Sequence, residues 1–236
     1  MLEIKNVTKR YGSKVAVSNL SLTVNDGEIF GFIGHNGAGK TTLIKAIVGI
    51  HGIEEGEILL DGISIVKDPI RLKKDIAYIP DNPDVYPNIK GIDYLNFIAD
   101  IYEVNSQERR TLIEKYANLF EILPHLGDVI SSYSHGMRQK LVLISALLHK
   151  PRLLILDEPF VGLDPKAAKT LKDIMKEITK DGAMIFFSSH VLEVVEKLCN
   201  RVGIIKDGKL VMTGMTEDIK GTKGLESVFL EITNEN

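Results

Sequence analysis

The sequence predicts an α/β fold, in which a mainly parallel sheet is covered by helices and interrupted by a helical insertion. Three observations support this prediction. The apolar run Ile29–Ile33, typical of a strand buried on both faces, leads into a glycine-rich loop and then into an amphipathic helix. Strand and helix patterns alternate after Pro151, as they do in parallel sheets. Between about Ile92 and Leu148, the apolar spacing becomes helical instead.

Length and composition indicate one large globular domain, or a core with a smaller subdomain. The chain has 236 residues, of which 44% are hydrophobic and 26% are charged, which argues against general disorder. The net charge of −3 shows no excess of positive charge, so it gives no indication of a nucleic-acid partner. The single cysteine, Cys199, excludes an internal disulfide and a multi-cysteine zinc site. The longest apolar run, about Leu141–Leu148, is too short to span a bilayer, and no secretory signal is recognised, so we expect a cytoplasmic protein.

The first 65 residues are predicted to be mainly strands. Leu20, Leu22 and Val24 alternate with polar residues, as in a half-buried strand. Asp61-Gly62 separates two apolar runs and predicts a hairpin, and Asp207-Gly208 repeats that signature near the end of the chain.

The later elements follow from the same periodicities. One helix is predicted to bury a face formed by Leu112, Ile113, Tyr116, Leu119 and Phe120. Further along, a helix begins near Pro165, a strand covers Ala183–Phe187, and a second helix covers Val191–Leu198. Gly221–Gly224 is interpreted as a short linker to a terminal segment.

A phosphate-binding loop is predicted at Gly34–Thr41, which matches the pattern G-x-x-x-x-G-K-[ST] in full. Glycines let backbone N–H groups point into a nest for phosphate oxygens, and the next helix adds its positive end. Lys40 would contact the β- and γ-phosphates, Thr41 would offer a hydroxyl to Mg²⁺, and Thr42 one to the α-phosphate. The strand–loop–helix setting disfavours the alternative, a chance glycine-rich turn. The predicted nucleotide-binding residues are Gly34, His35, Asn36, Gly37, Ala38, Gly39, Lys40, Thr41 and Thr42.

Two carboxylates end the apolar strand Leu153–Leu156. Because ligands of parallel sheets gather at the carboxyl ends of strands, Asp157 is predicted to hold Mg²⁺, directly or through water. Glu158 is predicted to act as general base on the attacking water. A solvated Asp-Glu pair is the alternative, which a neighbouring phosphate loop disfavours. His190 follows the strand Ala183–Phe187 and is expected near the γ-phosphate, although a lone histidine is more often structural.

Together, these motifs resemble the ATP-binding subunit of an ABC (ATP-binding cassette) transporter over essentially the whole chain. Tyr133–Lys140 resembles the signature of that family, LSGGQ in its usual form, and Phe160–Asp164 resembles the loop after the catalytic glutamate. The resemblance implies adenine stacking by Tyr11, nucleotide contacts from Ser134, Gly136 and Asp164, and a switch role for His190.

The resemblance also implies an architecture and a set of partners. It implies a P-loop NTPase core with an antiparallel β subdomain and an inserted helical subdomain. The expected division is residues 1–83 for the first part of the core, 84–150 for the helical subdomain, 151–220 for the rest of the core and 221–236 for a short C-terminal segment. ATP and Mg²⁺ are the implied cofactors. The implied partners are a transmembrane permease subunit, on the cytoplasmic face of the membrane, and a second ATP-binding subunit, in a homodimer or a heterodimer with a paralogue.

Three positions depart from the family pattern. His135 and Met137 stand in the signature where glycine and glutamine are usual, and we expect Ser134 and Gly136 to keep the phosphate role. Asp81 stands where the family has a glutamine that joins core and helical subdomain. Aspartate offers a hard oxygen to Mg²⁺, so Asp81 is a candidate metal ligand, but its shorter side chain favours contact through a water.

Three functions are compatible with these residues. The first is an ATPase that drives transport through a separate permease. The second is an ABC-type ATPase acting in DNA repair or translation, which the lack of coiled-coil insertions or of a second cassette disfavours. The third is a nucleotide-dependent switch with weak hydrolysis, which the presence of Lys40, Asp157, Glu158 and His190 disfavours. Within the family, the signature segment and the tail Leu225–Thr233 resemble the ABC-2 type exporter ATPases, so we expect export, of a substrate that the sequence does not indicate.

Overall fold

A computed structural model describes residues 1–82 and 84–234, which form two sheets, nine α-helices and two short 3₁₀ helices, Leu123–His125 and Ile130–Ser132. The predicted boundary at Pro83 and the final residues 235 and 236 lie outside the described residues. The strands are β1 (Leu2–Tyr11), β2 (Lys14–Val24), β3 (Ile29–Ile33), β4 (Glu55–Leu60), β5 (Ile63–Ser64), β6 (Ile76–Ile79), β7 (Leu153–Asp157), β8 (Met184–Ser189), β9 (Arg201–Lys206) and β10 (Lys209–Met215). The helices are α1 (Lys40–Ile47), α2 (Pro69–Asp75), α3 (Gly91–Ile101), α4 (Ser106–Leu119), α5 (His135–Leu147), α6 (Pro165–Lys180), α7 (Leu192–Leu198), α8 (Thr216–Lys220) and α9 (Leu225–Asn234).

The smaller sheet is antiparallel and has the strand order β2-β1-β4-β5. In β2, the alternating residues Leu20, Leu22 and Val24 are all buried, as the sequence predicts. The hairpin predicted at Asp61-Gly62 is confirmed, because these two residues join β4 to β5. This sheet is the antiparallel β subdomain that the resemblance implied.

The larger sheet has the order β10-β9-β3-β8-β7-β6, and only its edge strand β10 is antiparallel to its neighbour. Pairing places Ile33 opposite Ser189 and Asp157 opposite Ser188. The carboxyl ends of β3, β7 and β8 therefore lie side by side, and the segments that follow them meet at one edge of the sheet. This confirms the predicted parallel core.

The hydrophobic core lies on both faces of the larger sheet. Phe30, Phe32 and Phe186 pack together on the face toward α1 and the smaller sheet. Ile33 and Phe187 point to the opposite face, where the helical insertion packs. Successive residues of a strand alternate between faces, so the uninterrupted apolar runs of β3 and β8 supply both halves of the core.

The helical insertion is confirmed as α3, α4 and α5, with one correction. Tyr116 and Phe120 of the predicted face are buried, but Leu119 is 42% exposed. At about 100° per residue, Leu119 lies at the margin of the buried arc of α4, and its neighbours Tyr116 and Phe120 occupy the middle.

Along the described stretches, we find no helix that is long and apolar enough to cross a membrane.

Candidate functional site

The loop between β3 and α1 packs so closely on other backbone that it needs its glycines. A Cβ on Gly39 would lie 2.5 Å from the carbonyl oxygen of Ala16, and one on Gly34 would lie 2.6 Å from that of Ile205. Gly39 also has φ 112°, in the left-handed region that favours glycine. The glycine spacing of the motif therefore corresponds to two contacts with main chain that cannot yield.

Lys40, the first residue of α1, points back into this loop. Its ammonium donates hydrogen bonds to the carbonyl oxygens of Gly34, at 2.7 Å, and of His35, at 3.3 Å. Burial lowers the pKa of Lys40, and the carboxylates of Glu158 and Asp157 oppose that shift. The loop thus holds a largely buried positive charge (8% exposed) on acceptors that an anion could replace.

Asp157 lies at the end of β7 and is only 3% exposed. The hydroxyl of Thr41 donates to its Oδ2 at 2.9 Å, and the hydroxyl of Ser188 donates to its Oδ1. A carboxylate beside a threonine hydroxyl is a hard-oxygen donor set, which fits Mg²⁺. No cluster of three or more His, Cys, Asp or Glu suited to a metal occurs among residues 1–82 and 84–234, so an ion here would take further ligands from phosphate and water.

Glu158 and His190 form a hydrogen-bonded pair next to Asp157. The His190 Nδ1 lies 2.9 Å from Oε1 of Glu158, and the His190 backbone N–H donates to Oε2 at 3.4 Å. Glu158 has φ 50°, which is uncommon for a residue with a side chain, and its N–H donates to the Ser188 carbonyl at 3.2 Å. This tie between β7 and β8 fixes the carboxylate at the carboxyl edge of the sheet.

Asp81 also reaches this edge. It follows β6 and lies near Tyr78. Burial, and then the negative charges of Asp157 and Asp81, raise the pKa of the Tyr78 phenol to about 12. The side chain of Asp81 is exposed, unlike that of Asp157. The structure therefore places Asp81 beside Thr41 and Asp157, without a hydrogen bond to either among the described contacts.

Two adjoining cavities of about 500 and 490 Å³ collect most of the predicted site residues. The first contains His190 together with Gly34, His35, Asn36, Asp81 and Glu158. The second contains Tyr11, His35, Asn36, Gly37, Gly39, Lys40, Thr41, Thr42, Asp81, Asp157 and Glu158. Tyr11 is 47% exposed, as a ring available for stacking would be. Ala38 lines neither cavity; it is buried, with its N–H bonded to the His35 carbonyl.

The signature residues lie elsewhere. In the part of the chain that the structure describes, Ser134, Gly136 and Asp164 line neither cavity. The Ser134 hydroxyl caps α5 by accepting from the Met137 N–H at 3.2 Å, and Asp164 caps α6 by accepting from the Ala167 N–H at 2.8 Å. One copy of the chain therefore does not bring its own signature to its own phosphate loop.

The signature instead packs against the loop that follows Glu158. A Cβ on Gly136 would lie 2.9 Å from the Gly162 carbonyl oxygen, and one on Gly162 would meet the His135 ring at 2.4 Å. An ion pair of 2.7 Å between Lys140 and Asp164 joins the same two segments. His135, which replaces a glycine of the usual pattern, thus fills space over Gly162.

Sequence reasoning missed two residues at this edge. Ser188 binds the Asp157 carboxylate, and the serine pair before His190 was the available signal. Phe229, in the terminal segment, lines the cavity that holds Glu158 and His190. No local pattern places a residue of α9 there.

Comparison with known proteins points in one direction. Residues 17–161 match the family model described as ABC transporter. YhcH of Bacillus subtilis (strain 168), described as an uncharacterized ABC transporter ATP-binding protein, is 39% identical over 212 residues, which is 89% of this chain and 68% of YhcH. The linearmycin resistance ATP-binding protein LnrL of the same organism is 32% identical over 229 residues, 97% of this chain and 74% of LnrL.

A solved structure of the ATP-binding subunit of an ABC transporter resembles this fold closely. The TM-score is 0.94 at 30% sequence identity, and the match covers 98% of this chain and 99% of the other. The likeness therefore extends from the phosphate loop through the helical insertion to the terminal helices.

Proposed function

This chain belongs to the ABC transporter family as an ATP-binding subunit and ATPase, and from that membership we propose that it powers export through a separate membrane permease by ATP-driven pairing of two subunits. One observation carries the proposal: the phosphate loop, Asp157 and the Glu158–His190 pair share one edge of the sheet, while the signature residues lie outside the cavities at that edge. A second copy, or a paralogue, would supply the missing signature.

Binding of ATP would use contacts already in place. Phosphate oxygens would replace the carbonyls of Gly34 and His35 as acceptors for the Lys40 ammonium. Thr41 and Asp157 would hold Mg²⁺, with Asp81 reaching it through water. Bound Mg²⁺ would neutralise charge on the phosphate oxygens. The Thr42 hydroxyl would face the α-phosphate, and Tyr11 would stack on adenine.

Hydrolysis would depend on Glu158 and His190. The carboxylate of Glu158, 14% exposed in its side chain, would accept a proton from the water that attacks the γ-phosphate. His190 holds that carboxylate through both its ring and its backbone N–H, so it would orient the base as well as face the γ-phosphate. This arrangement supports a hydrolase over a nucleotide switch.

Pairing would complete the site. The N-terminus of α5 presents the Ser134 hydroxyl and the Gly136 backbone, a suitable receptor for a γ-phosphate held by the other subunit. Asp164 lies in the adjoining segment, and its ion pair with Lys140 holds that segment against α5. Loss of the γ-phosphate would remove these contacts and let the subunits separate, a ligand-driven shift between two states.

Export and membrane docking are proposed from the relatives of this chain and not from the geometry of its site. LnrL is named for resistance to linearmycin, and removal of a toxic compound is one way in which a transporter gives resistance. The permease would hold this subunit at the cytoplasmic face of the membrane, and no role in nucleic-acid binding is proposed. Co-purification of a polytopic membrane protein would support this part, and a ribosomal or recombination partner would contradict it.

Glu158→Gln tests the catalytic core of the proposal. The amide keeps the shape of the side chain but cannot act as base, so we expect steady-state phosphate release to vanish while ATP still binds. Light scattering should then detect a two-subunit species in ATP and a single subunit in ADP. Phosphate release near the unmodified rate would remove Glu158 from the role of base.

A further inference from the structure

The terminal helix α9 contacts the phosphate loop through an aromatic pair. The ring centroids of Phe229 and His35 lie 5.0 Å apart, with 55° between the ring planes. Phe229 is 9% exposed and belongs to the main hydrophobic core, and it also lines the cavity that holds Glu158 and His190. One side chain therefore joins the core to the nucleotide site.

Contacts at both ends hold α9 in place independently of that loop. Leu225 is fully buried, and its N–H donates to a carboxylate oxygen of Glu196 in α7 at 2.9 Å. Near the other end, the Lys206 ammonium of β9 donates to the Ile232 carbonyl at 3.1 Å. Along the helix, Leu225, Phe229 and Ile232 share one face, at helical spacing. The helix is thus a fixed support against which a loop residue can rest.

His35 lies where such support affects nucleotide binding. Its backbone carbonyl accepts from the Lys40 ammonium at 3.3 Å and from the Ala38 N–H at 3.1 Å. His35 and its neighbours Asn36 and Gly37 are the exposed part of the loop. A contact that restrains the His35 ring therefore restrains the carbonyl that positions Lys40.

We propose that Phe229 is a positioning residue of the nucleotide site: α9 holds the His35 end of the phosphate loop in its binding conformation, so that the nucleotide has less ordering to impose. The inference deepens the proposed function, because it rests on nucleotide binding by this loop. It does not depend on pairing, hydrolysis or transport.

The test measures the dissociation constant of ADP for the full chain by calorimetry, because ADP binding requires neither hydrolysis nor a second subunit. We expect Phe229→Ala to weaken ADP binding about three- to tenfold, the range that an aromatic pair supports. Phe229→Tyr keeps the ring and should retain affinity. The matched control is Leu230→Ala on the same helix, whose side chain is 46% exposed and whose loss should leave affinity unchanged.

A double-mutant cycle separates positioning from a general loss of structure. If the ring contact carries the effect, Phe229→Ala should cost nothing further in a His35→Ala background, because the partner ring is already gone. Phe229→Leu, which keeps much of the apolar volume, replaces the alanine variant if that variant does not fold. Unchanged affinity in Phe229→Ala and Phe229→Leu, or the same loss with and without the His35 ring, would overturn the inference. If Lys40→Ala also left ADP affinity unchanged, the nucleotide site itself would be misassigned.

Discussion

Single residues of the phosphate loop combine two functions, since Lys40 satisfies the loop's own carbonyls and offers a charge to a ligand. The ammonium is largely buried, and burial lowers its pKa. A buried cation without an anionic partner is unfavourable. Replacement of the carbonyl acceptors by phosphate oxygens should therefore stabilise the charged lysine. At this scale, affinity for ATP should depend on one charge more than on the number of surrounding contacts.

Lys40→Ala should weaken ATP binding roughly tenfold to a hundredfold, because a hydrogen bond to a charged group contributes about 1.5–3 kcal/mol. Calorimetry with the full chain measures the change. Lys169→Ala, which removes an exposed lysine of α6, controls for the change in net charge. An unaltered dissociation constant in Lys40→Ala, or an equal loss in the control, would contradict the assigned contact.

A second prediction for a single residue concerns His149 and the pH dependence of the free energy of unfolding. It follows α5, stacks on Tyr102 with ring centroids 3.7 Å apart, and burial lowers its pKa from 6.5 to about 4. The folded state therefore resists protonation more than the unfolded state does. Stability from the neutral ring is fully present above about pH 6.5 and is lost as the pH falls toward 4.

Replacing that ring should reduce the acid sensitivity of the fold. Between pH 7 and pH 5, the free energy of unfolding should fall by about 1–2 kcal/mol less in His149→Phe than in the unmodified chain. Urea titrations at the two pH values measure this difference. His125→Phe, at a side chain that is 52% exposed, serves as the matched control. If both substitutions behave alike, burial of His149 does not control the acid response.

Among the elements, helix α5 has the clearest double role, because its N-cap residue Ser134 also carries the proposed phosphate contact. Ser134→Ala should cost about 1 kcal/mol of stability through the lost cap. It should also block ATP-induced pairing of Glu158→Gln, as followed by light scattering. Asn105→Ala removes the comparable cap of α4, where the side chain accepts from the Glu108 N–H at 2.9 Å. The control should lose similar stability but still pair, and full pairing of Ser134→Ala would refute the phosphate role.

The elements also show where sequence reasoning succeeds. β3 and β7 were predictable because an apolar run followed by glycines or carboxylates is a local pattern, and parallel pairing then brings the ends together. Ser188 and Phe229 were not, because their roles depend on which strand or helix lies beside the site. Leu119 shows the limit within one helix, where spacing gives the angle of a side chain but not the width of the face that is covered.

At the scale of the whole molecule, the signature lies apart from the phosphate loop, as the proposed sharing of ATP between two copies requires. Glu158, Lys40 and Asp157 lie around the two cavities, whereas Ser134 and Gly136 do not. The spacing of motifs along the sequence could not predict this separation, since it follows from the way α5 packs on the loop around Gly162. A two-fold pair would contain two composite sites, each with the loop of one copy and the signature of the other.

Mixing two impaired variants should therefore restore activity, at an ATP concentration that leaves the Lys40→Ala site largely empty. In a pair of one Lys40→Ala copy and one Ser134→Ala copy, one site combines two damaged parts and the other combines two intact parts. Random pairing of equal amounts makes about half of the pairs mixed, so phosphate release should recover to about a quarter of the unmodified rate if sites act independently. A chain carrying both substitutions, mixed with unmodified chain, forms pairs in which each site keeps one damaged part, and it should gain nothing beyond the unmodified pairs. If the two single variants together release no more phosphate than the sum of each alone, the nucleotide is not shared between copies.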